Sequence, residues 1–310
     1  MVRRTDDRAK PRTPMTSTKT AAIILAAGMG TRMKSSRPKV LHEIAGRAMI
    51  GHLLDQLEKI DCDRKIVVLG ADGEAVAETV APVPTTVQDP PLGTADAVLA
   101  TRQEMANFDG DVLILFGDTP LLTAATMERM IARRRADDNP AVVVLGFQSS
   151  QAGDYGRLIL NNNRKLLKIV EAKDATPEQL ATPLCNSGVL AIDAAALPFL
   201  LSQLENNNAK GEYYLTDIIQ IALKQGRGCA VVEGVENELI GINSKADLAQ
   251  AEAIMQGRLR LAAMNEGATL LDPSTVYFTY DTKLGDNVTI GPNVYFGPGV
   301  KLGDNVEVRA

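Results

Sequence analysis

Short runs of apolar residues, separated by amphipathic segments, dominate the first half of the chain. Each run is continuous and contains or borders a glycine, which is typical of a strand buried on both faces of a parallel sheet. The runs lie at 21–27, 65–70, 111–117 and 141–146. Segments with the apolar spacing of helices lie at 48–60, 95–106 and 124–135. This alternation of strand and helix predicts an α/β domain with a mainly parallel sheet.

The second half of the chain departs from this alternation. Shorter runs at 157–160 and 166–171 flank three consecutive asparagines at 161–163, which predicts a hairpin inserted beside the sheet. Helical patterns return at 194–204 and 215–224. A longer amphipathic pattern over 245–264 predicts a helix that links two domains.

A six-residue period follows the predicted linking helix. Aliphatic or aromatic residues stand six apart and are each followed by glycine, at Leu284, Ile290, Phe296 and Leu302. Valines repeat in the same phase, at Val288, Val294, Val300 and Val306. This period predicts a parallel β-helix, whereas an antiparallel meander would alternate with a period of two.

The 310 residues therefore divide into four predicted parts. These are a disordered tail at 1–19, an α/β domain at 20–244, a linking helix at 245–266 and a partial β-helix at 267–310. The tail is charged and lacks the apolar segment of a secretory signal. Because the sequence stops within the repeat, we expect either a partner over the last coil or a longer natural protein.

Composition excludes several classes of protein. The chain carries 33 basic and 38 acidic residues, so its net charge of −5 opposes bulk binding to nucleic acid. No apolar run approaches the roughly 18 residues of a membrane span. Three widely spaced cysteines form neither a disulfide framework nor a zinc motif, which favours a reducing cytoplasm. The only two histidines, His42 and His52, leave little for catalysis by histidine.

A glycine turn with basic residues follows the first predicted strand. Gly28 and Gly30 permit a tight turn at the carboxyl edge of the sheet, where α/β folds bind ligands. Met33 stands where a dinucleotide fingerprint or a P-loop requires glycine, so neither motif fits. Four cations follow without an acid before His42, at Arg32, Lys34, Arg37 and Lys39. The arrangement predicts a site for a polyphosphate; the alternative is a solvated basic loop.

The turn and several later motifs resemble those of sugar-1-phosphate nucleotidyltransferases. The matching segments are 25–33, Pro38-Lys39, Gln88, 92–95, 116–121, 155–157, 170–175, 186–188, 211–217 and 241–243. Together with the hexapeptide repeat, they resemble the bacterial bifunctional family of N-acetylglucosamine-1-phosphate uridyltransferase and glucosamine-1-phosphate acetyltransferase over residues 20–310. The resemblance implies a Rossmann-like nucleotidyltransferase domain followed by a short left-handed parallel β-helix.

The resemblance also assigns roles to individual residues. It implies catalytic roles for Arg32 and Lys39, nucleotide binding by Leu25, Ala26, Ala27, Gly28, Gln88, Gly93 and Thr94, sugar binding by Gly156, Glu171 and Asn186, and Mg²⁺ binding by Asp118 and Asn243. The chemistry of Asp118 agrees, because a carboxylate beside a polyphosphate requires a divalent cation between them. Tyr213 and Tyr214 are expected to pack rather than to contact a ligand.

The implied reaction is transfer of UMP from UTP to N-acetylglucosamine-1-phosphate, which yields UDP-N-acetylglucosamine, a cell-wall precursor, and pyrophosphate. A sugar phosphate is already anionic at neutral pH, so it needs no general base and no histidine. The same fold could instead transfer a thymidylyl group to glucose-1-phosphate, or the chain could be a non-catalytic sugar-nucleotide-binding subunit.

Two features depart from the family's pattern. Asp96 replaces a histidine after Gly93-Thr94-Ala95, and we expect it to face solvent or to cap a helix. No histidine follows His52, so we expect no acetyltransferase activity, which in the family depends on one. The β-helix is expected to assemble the chain into a homotrimer, without a membrane or nucleic-acid partner.

Overall fold

A computed structural model of the chain describes residues 19–28, 30–208 and 211–309. Almost all of the predicted tail at 1–19 therefore lies outside the described residues. The strands of the described part are β1 (Lys19–Leu25), β2 (Glu43–Ile44), β3 (Arg47–Ala48), β4 (Arg64–Leu69), β5 (Thr85–Val87), β6 (Gly110–Phe116), β7 (Val142–Gln148), β8 (Arg157–Leu160), β9 (Leu166–Val170), β10 (Leu184–Asp193), β11 (Cys229–Gly234), β12 (Thr269–Leu270), β13 (Thr289–Ile290) and β14 (Glu307–Val308).

The helices of the same part include one long element at the domain junction. They are α1 (Met49–Leu57), α2 (Glu74–Val80), α3 (Thr94–Leu99), α4 (Ala124–Arg134), α5 (Pro177–Leu180), α6 (Leu197–Ser202), α7 (Ile218–Lys224) and α8 (Lys245–Asn265). Helix α3 is shorter than the predicted segment at 95–106, because the chain turns repeatedly after Leu99. No helix of the described ranges is long and apolar enough to cross a membrane.

The central sheet has the order β11-β7-β10-β6-β1-β4-β5. Its neighbours run parallel except for β10, which is antiparallel to both β6 and β7. The hairpin of β8 and β9 joins β10 through the pair Cys185 and Arg157. The predicted mainly parallel sheet and inserted hairpin are confirmed, and the antiparallel central strand is a feature that the pattern did not predict.

Both faces of the sheet are covered by apolar layers. Along β1, Ala22 and Ile24 belong to one buried cluster, while Ile23 and Leu25 belong to the cluster on the other face. The side chains of a strand alternate between faces, so a continuous apolar run supplies both layers. Strands β1 and β6 run parallel and Leu25 pairs with Phe116, so the carboxyl ends of both strands lie at the same edge of the sheet.

Residues after the linking helix form parallel coils. Strands β12, β13 and β14 pair in parallel, and Tyr277 and Lys283 pair with residues 18 positions later, Tyr295 and Lys301. A separation of 18 residues is three hexads per coil. The apolar positions of the repeat face a common core that includes Val276, Val288, Ile290 and Phe296. The parallel β-helix is confirmed, and the antiparallel meander is excluded.

One buried side chain fastens the linking helix to the β-helix. Gln256 on α8 is only 2% exposed. Its Nε2 donates to the carbonyl oxygen of Phe278 at 2.6 Å, and its Oε1 accepts from the Phe278 N–H at 2.9 Å. Helix α8 begins at a capping box in which the Ser244 and Asp247 side chains each accept from the other's backbone N–H.

Candidate active site

The glycine turn after β1 is folded against Lys39. Gly30 has φ of 62°, and a Cβ on it would lie 2.6 Å from the Cβ of Lys39, so a side chain there is excluded. The 3-10 turn Thr31–Met33 follows, and the Met33 side chain is 1% exposed. Met33 therefore serves the core, which explains an apolar residue at a position where the common phosphate-binding motifs need glycine.

The side chain of Lys39 contacts side-chain oxygens of two residues from distant parts of the chain. Its Nζ forms an ion pair with Asp118 Oδ2 and donates to Asn243 Oδ1 at 3.1 Å. Asp118 follows β6 directly after Gly117, whose N–H donates to the Leu25 carbonyl at 3.0 Å. The side chains of Lys39 and Asp118 are 13% and 16% exposed, so this ion pair is largely shielded from water.

The loop that carries Asn243 is fixed by hydrogen bonds on both sides. The Ile242 N–H donates to the backbone oxygen of Asp118 at 3.0 Å, and the Gly241 N–H donates to the Tyr155 hydroxyl at 3.1 Å. Asn243 Nδ2 donates to the Gly241 carbonyl at 3.1 Å, which leaves its Oδ1 turned toward Lys39. Tyr155 therefore helps to hold the loop that carries Asn243, a structural role that was not predicted from its motif.

Two adjoining cavities open at this edge of the sheet. The smaller has a volume of about 320 Å³ and the larger about 700 Å³. Thr94, Phe116, Asp118 and Glu212 line both cavities, so the two meet beside the Lys39–Asp118 pair. No functional role was predicted for Phe116 or Glu212, although both belong to motifs that the sequence shares with nucleotidyltransferases.

The predicted site residues lie on the walls of these cavities. The smaller cavity is lined by Leu25, Ala26, Ala27, Gly28, Lys39, Gln88, Gly93, Thr94 and Asp118. The larger is lined by Arg32, Thr94, Asp118, Gly156, Glu171, Asn186 and Asn243. The structure brings together residues predicted for nucleotide, sugar and metal, and their individual roles stay predictions.

One carboxylate on the wall of the larger cavity, that of Glu171, has a raised pKa. Burial raises the pKa of Glu171, an effect that outweighs the hydrogen bond from the Thr216 hydroxyl to Glu171 Oε1 at 3.4 Å. The expectation of packing fits Tyr213, which adjoins the core, but Tyr214 lines the cavity. Its hydroxyl accepts from Lys173 Nζ at 2.6 Å, so an aromatic side chain forms part of the rim.

Asp96 is half-buried, and its Oδ2 accepts from the Leu92 N–H at 3.4 Å just before α3, so the prediction of a solvated or capping residue holds in part but misses a second partner. It lies inside α3, whose N-cap is Gly93, and its Oδ2 accepts from Gln88 Nε2 at 2.7 Å. The amide of Gln88 is a buried donor, and the carboxylate of Asp96, eight residues later in the sequence, accepts from it. Asp96 is not among the residues that line the smaller cavity, whereas Gln88 is.

Both histidines contact groups within the fold. His52 Nε2 lies 2.7 Å from the Ile44 carbonyl oxygen, and burial lowers the pKa of this imidazole. His42 Nδ1 lies 3.2 Å from Lys245 Nζ, and burial together with the charge of Lys245 lowers its pKa. Neither histidine lines either cavity in the described part of the chain.

Asp118 and Asn243 fit a magnesium ion. A single cation, the Lys39 ammonium, already contacts one oxygen of each, so the two donors converge on a common position. Magnesium takes few protein ligands and completes its shell with water and phosphate oxygens. Among residues 19–28, 30–208 and 211–309, no cluster of three or more His, Cys, Asp or Glu side chains could hold a metal by itself.

A mainly parallel sheet, a basic glycine turn after its first strand and an acid after the adjacent strand are typical of the nucleotidyltransferase class. The chain belongs to the MobA-like NTP transferase domain family, whose pattern matches residues 22–184. The bacterial transferase hexapeptide pattern matches residues 281–310.

Comparison with individual proteins confirms the resemblance predicted from the motifs. The chain is 57% identical over 295 residues to the bifunctional protein GlmU of Paramagnetospirillum magneticum, which covers 95% of the chain and 66% of that protein. It is 56% identical over 272 residues to that of Rhodospirillum rubrum, covering 88% of the chain and 61% of the relative. The chain thus spans somewhat less than two thirds of the length of these relatives.

A solved structure shares the fold. It is a CMP:2-keto-3-deoxy-manno-octonic acid synthetase complexed with CTP, with a TM-score of 0.58 and 19% sequence identity. The match covers 78% of this chain and all of the other. At this identity the likeness shows a common fold and nothing finer.

Proposed function

We propose that this chain transfers UMP from UTP to N-acetylglucosamine-1-phosphate in a magnesium-dependent reaction. The observation that carries the proposal is the contact of Lys39 with both Asp118 and Asn243 at the point where the two cavities meet. A cationic side chain and two side-chain oxygens able to bind a metal, placed where the two cavities meet, suit the transfer of a phosphoryl group between two bound substrates.

The substrates are assigned to the cavities by their linings. The smaller cavity, lined by the glycine turn and Gln88, is suited to the nucleotide base and ribose. The larger one, with Glu171 and Asn186 on its wall, is suited to the sugar, because these side chains pair with hydroxyl and acetamido groups. The α-phosphate of UTP then lies near Asp118, which both linings share.

The chemistry requires positioning and charge neutralisation. A phosphate oxygen of the sugar substrate attacks the α-phosphorus of UTP; a new P–O bond forms as the bond to the β-phosphate oxygen breaks and pyrophosphate leaves. Lys39 stabilises charge at the reacting phosphate, and Arg32 stabilises the leaving pyrophosphate. Asp118 and Asn243 would hold Mg²⁺, which neutralises phosphate charge when bound.

Pyrophosphate release from UTP, Mg²⁺ and N-acetylglucosamine-1-phosphate tests the proposal. The chain is expected to release pyrophosphate only when all three are present, and Asp118→Asn to lower the rate by roughly 10²- to 10³-fold. The exposed Asp72 provides a matched control, since Asp72→Asn removes the same charge away from both cavities. Preference for dTTP and glucose-1-phosphate would favour thymidylyl transfer, and a folded chain that releases no pyrophosphate would leave a binding subunit.

We also propose that the β-helix assembles three chains, and that the protein acts in the cytoplasm. The hexapeptide match supports oligomerisation, and Leu271 and Tyr295 expose 65% and 71% of their surface in this domain. All three cysteines are unpaired, which suits a reducing compartment. Light scattering should give the mass of a trimer, and a monomer at micromolar concentration would contradict the assembly.

A further inference from the structure

The buried amide of Gln88 has a fixed orientation. Gln88 follows β5, is 6% exposed and lines the smaller cavity. Its Nε2 donates to Asp96 Oδ2 at 2.7 Å and to the Gly93 carbonyl at 2.9 Å. A carboxylate and a carbonyl can only accept, so the opposite orientation would place the Gln88 carbonyl oxygen against two acceptors. The contacts therefore determine which end of the amide faces away from them.

The carbonyl oxygen of Gln88 is left for a ligand. Both hydrogens of its amide nitrogen are used by Asp96 and Gly93. Within the described ranges no group donates to Gln88 Oε1, and this atom is not among the fully buried unpaired atoms. Since the rest of the side chain is buried and lines the cavity, Oε1 is the atom that reaches it.

Gly93, which lines the same cavity as Gln88, supplies a donor. The Gly93 carbonyl already accepts from Gln88 Nε2 and from the Ala97 N–H at 3.1 Å. The Gly93 N–H, by contrast, donates to no group in the described part of the chain. Gln88 Oε1 and the Gly93 N–H thus offer an acceptor and a donor on one cavity wall.

This pair matches one pyrimidine and not the other. Uracil presents a ring N–H next to a carbonyl oxygen, which is a donor beside an acceptor. Cytosine presents a bare ring nitrogen next to an amino group, which is the reverse order. A base with the wrong order leaves polar groups of the site unpaired, and this discriminates more strongly than a difference in size.

We infer that Asp96 is a positioning residue for base selection. Together with the Gly93 carbonyl, it fixes the Gln88 amide so that the cavity accepts a base with a ring N–H beside a carbonyl, namely uracil or thymine, and rejects cytosine. The inference rests on the proposed function, because it takes the smaller cavity as the nucleotide site.

The test compares the affinities of UTP and CTP by calorimetry, together with pyrophosphate release from each. Asp96→Ala is expected to lower the UTP:CTP ratio of affinities by roughly fivefold to thirtyfold, because the amide then keeps only the Gly93 carbonyl as a partner and its opposite orientation costs less. Asp96→Asn is expected to stay within about threefold of the unaltered chain, since its side-chain oxygen still accepts from Gln88 Nε2. The UTP:dTTP ratio should not change in either variant.

The controls separate this inference from a loss of fold and from a failure of the proposed function. The exposed Asp72→Ala should leave every ratio unchanged. A purely structural role of Asp96 would weaken UTP and CTP equally, and an unchanged UTP:CTP ratio in Asp96→Ala would overturn the inference while uridyl transfer stands. If the unaltered chain binds no UTP, the proposed function and this inference both fail.

Discussion

The Lys39 ammonium lies 3.1 Å from Asn243 Oδ1, across 204 positions of sequence. The same ammonium pairs with Asp118, so it stands between the two side chains predicted to bind Mg²⁺. Two cations cannot share that position at contact distance, because their mutual repulsion is large where water is scarce. We therefore predict that Lys39 moves toward the phosphates when a metal and a nucleotide bind.

We predict opposite effects of Lys39→Met on metal affinity and on catalysis. The variant should bind Mn²⁺ more tightly than the unaltered chain in the absence of nucleotide, because the competing ammonium is gone. Its kcat should nevertheless fall by roughly 10²- to 10³-fold, with a smaller change in KM for UTP, since the lost contact strengthens in the transition state.

Titration of Mn²⁺ followed by electron paramagnetic resonance measures the first effect, and pyrophosphate release measures the second. Lys59→Met is the matched control, because Lys59 is exposed and lies on neither cavity wall. Unaltered or weaker Mn²⁺ binding in Lys39→Met would show that the ammonium does not compete with the metal.

Glu171→Gln should change the pH dependence of both stability and sugar binding. Burial raises the pKa of Glu171 in the folded chain, so the ionised carboxylate destabilises the fold, and stability falls as pH rises through that pKa. The glutamine variant should therefore melt at a higher temperature at neutral pH, by about 2–4 °C for each kcal/mol gained. The difference should vanish in acid.

The same variant should lose one limb of the pH profile of the sugar. In the unaltered chain, KM for the sugar phosphate should rise as pH falls through the raised pKa of Glu171, because the carboxylate loses an acceptor. The second ionisation of the phosphate, near ~6, affects both proteins alike. Glu128→Gln on the exposed face of α4 is the control, and a profile that Glu171→Gln leaves intact would remove Glu171 from the sugar site.

Gly93→Ala should distort the nucleotide cavity and destabilise the chain. Gly93 has φ of 117°, and a Cβ there would lie 2.6 Å from the Tyr213 backbone oxygen. Strain of this kind costs about 1–3 kcal/mol of unfolding free energy. Gly257→Ala in α8 has open space and a helical backbone, so it should stabilise by about 0.5–1 kcal/mol. Denaturation in urea checks both, and equal stabilities would contradict the argument.

Gln256→Leu should weaken the junction between the two domains. The substitution leaves the Phe278 N–H and carbonyl without partners in a buried place, which costs about 1–3 kcal/mol for each group. Gln250→Leu makes the same exchange at an exposed position of the same helix and should have little effect. Urea unfolding followed by circular dichroism measures the stability of both variants. Similar stabilities would show that the hydrogen bonds between Gln256 and Phe278 contribute little to the free energy of unfolding.

The regular parts of the fold were predictable because they depend on local patterns. The run from Ala21 sets a buried strand whichever neighbours it has, and the hexads from Leu284 impose a coil of fixed length. The place of β10 between β6 and β7 was not predictable, because both strands offer apolar edges and the pairing is decided by contacts far along the chain. Sequence pattern carries little information about such partners.

The site was predictable in its residues and not in its contacts. Motifs placed Asp118 and Asn243 together, but nothing in their spacing shows that Lys39 joins them. The contact of Asp96 with Gln88 was not predictable, because a carboxylate early in a helix is typically a cap or a solvated residue and Gln88 lies in a preceding loop. A hydrogen bond between side chains depends on coordinates that propensity does not encode.

The late entry of β10 has a consequence for synthesis on the ribosome. Strands β6 and β7 are made before β10, and each needs it as a partner inside the finished sheet. Until residue 193 has emerged, the nascent polypeptide exposes two long apolar borders with unsatisfied backbone groups. Pauses in translation before that residue should therefore promote aggregation or capture by chaperones more than pauses after residue 234, when β11 is available to cover the other edge of β7.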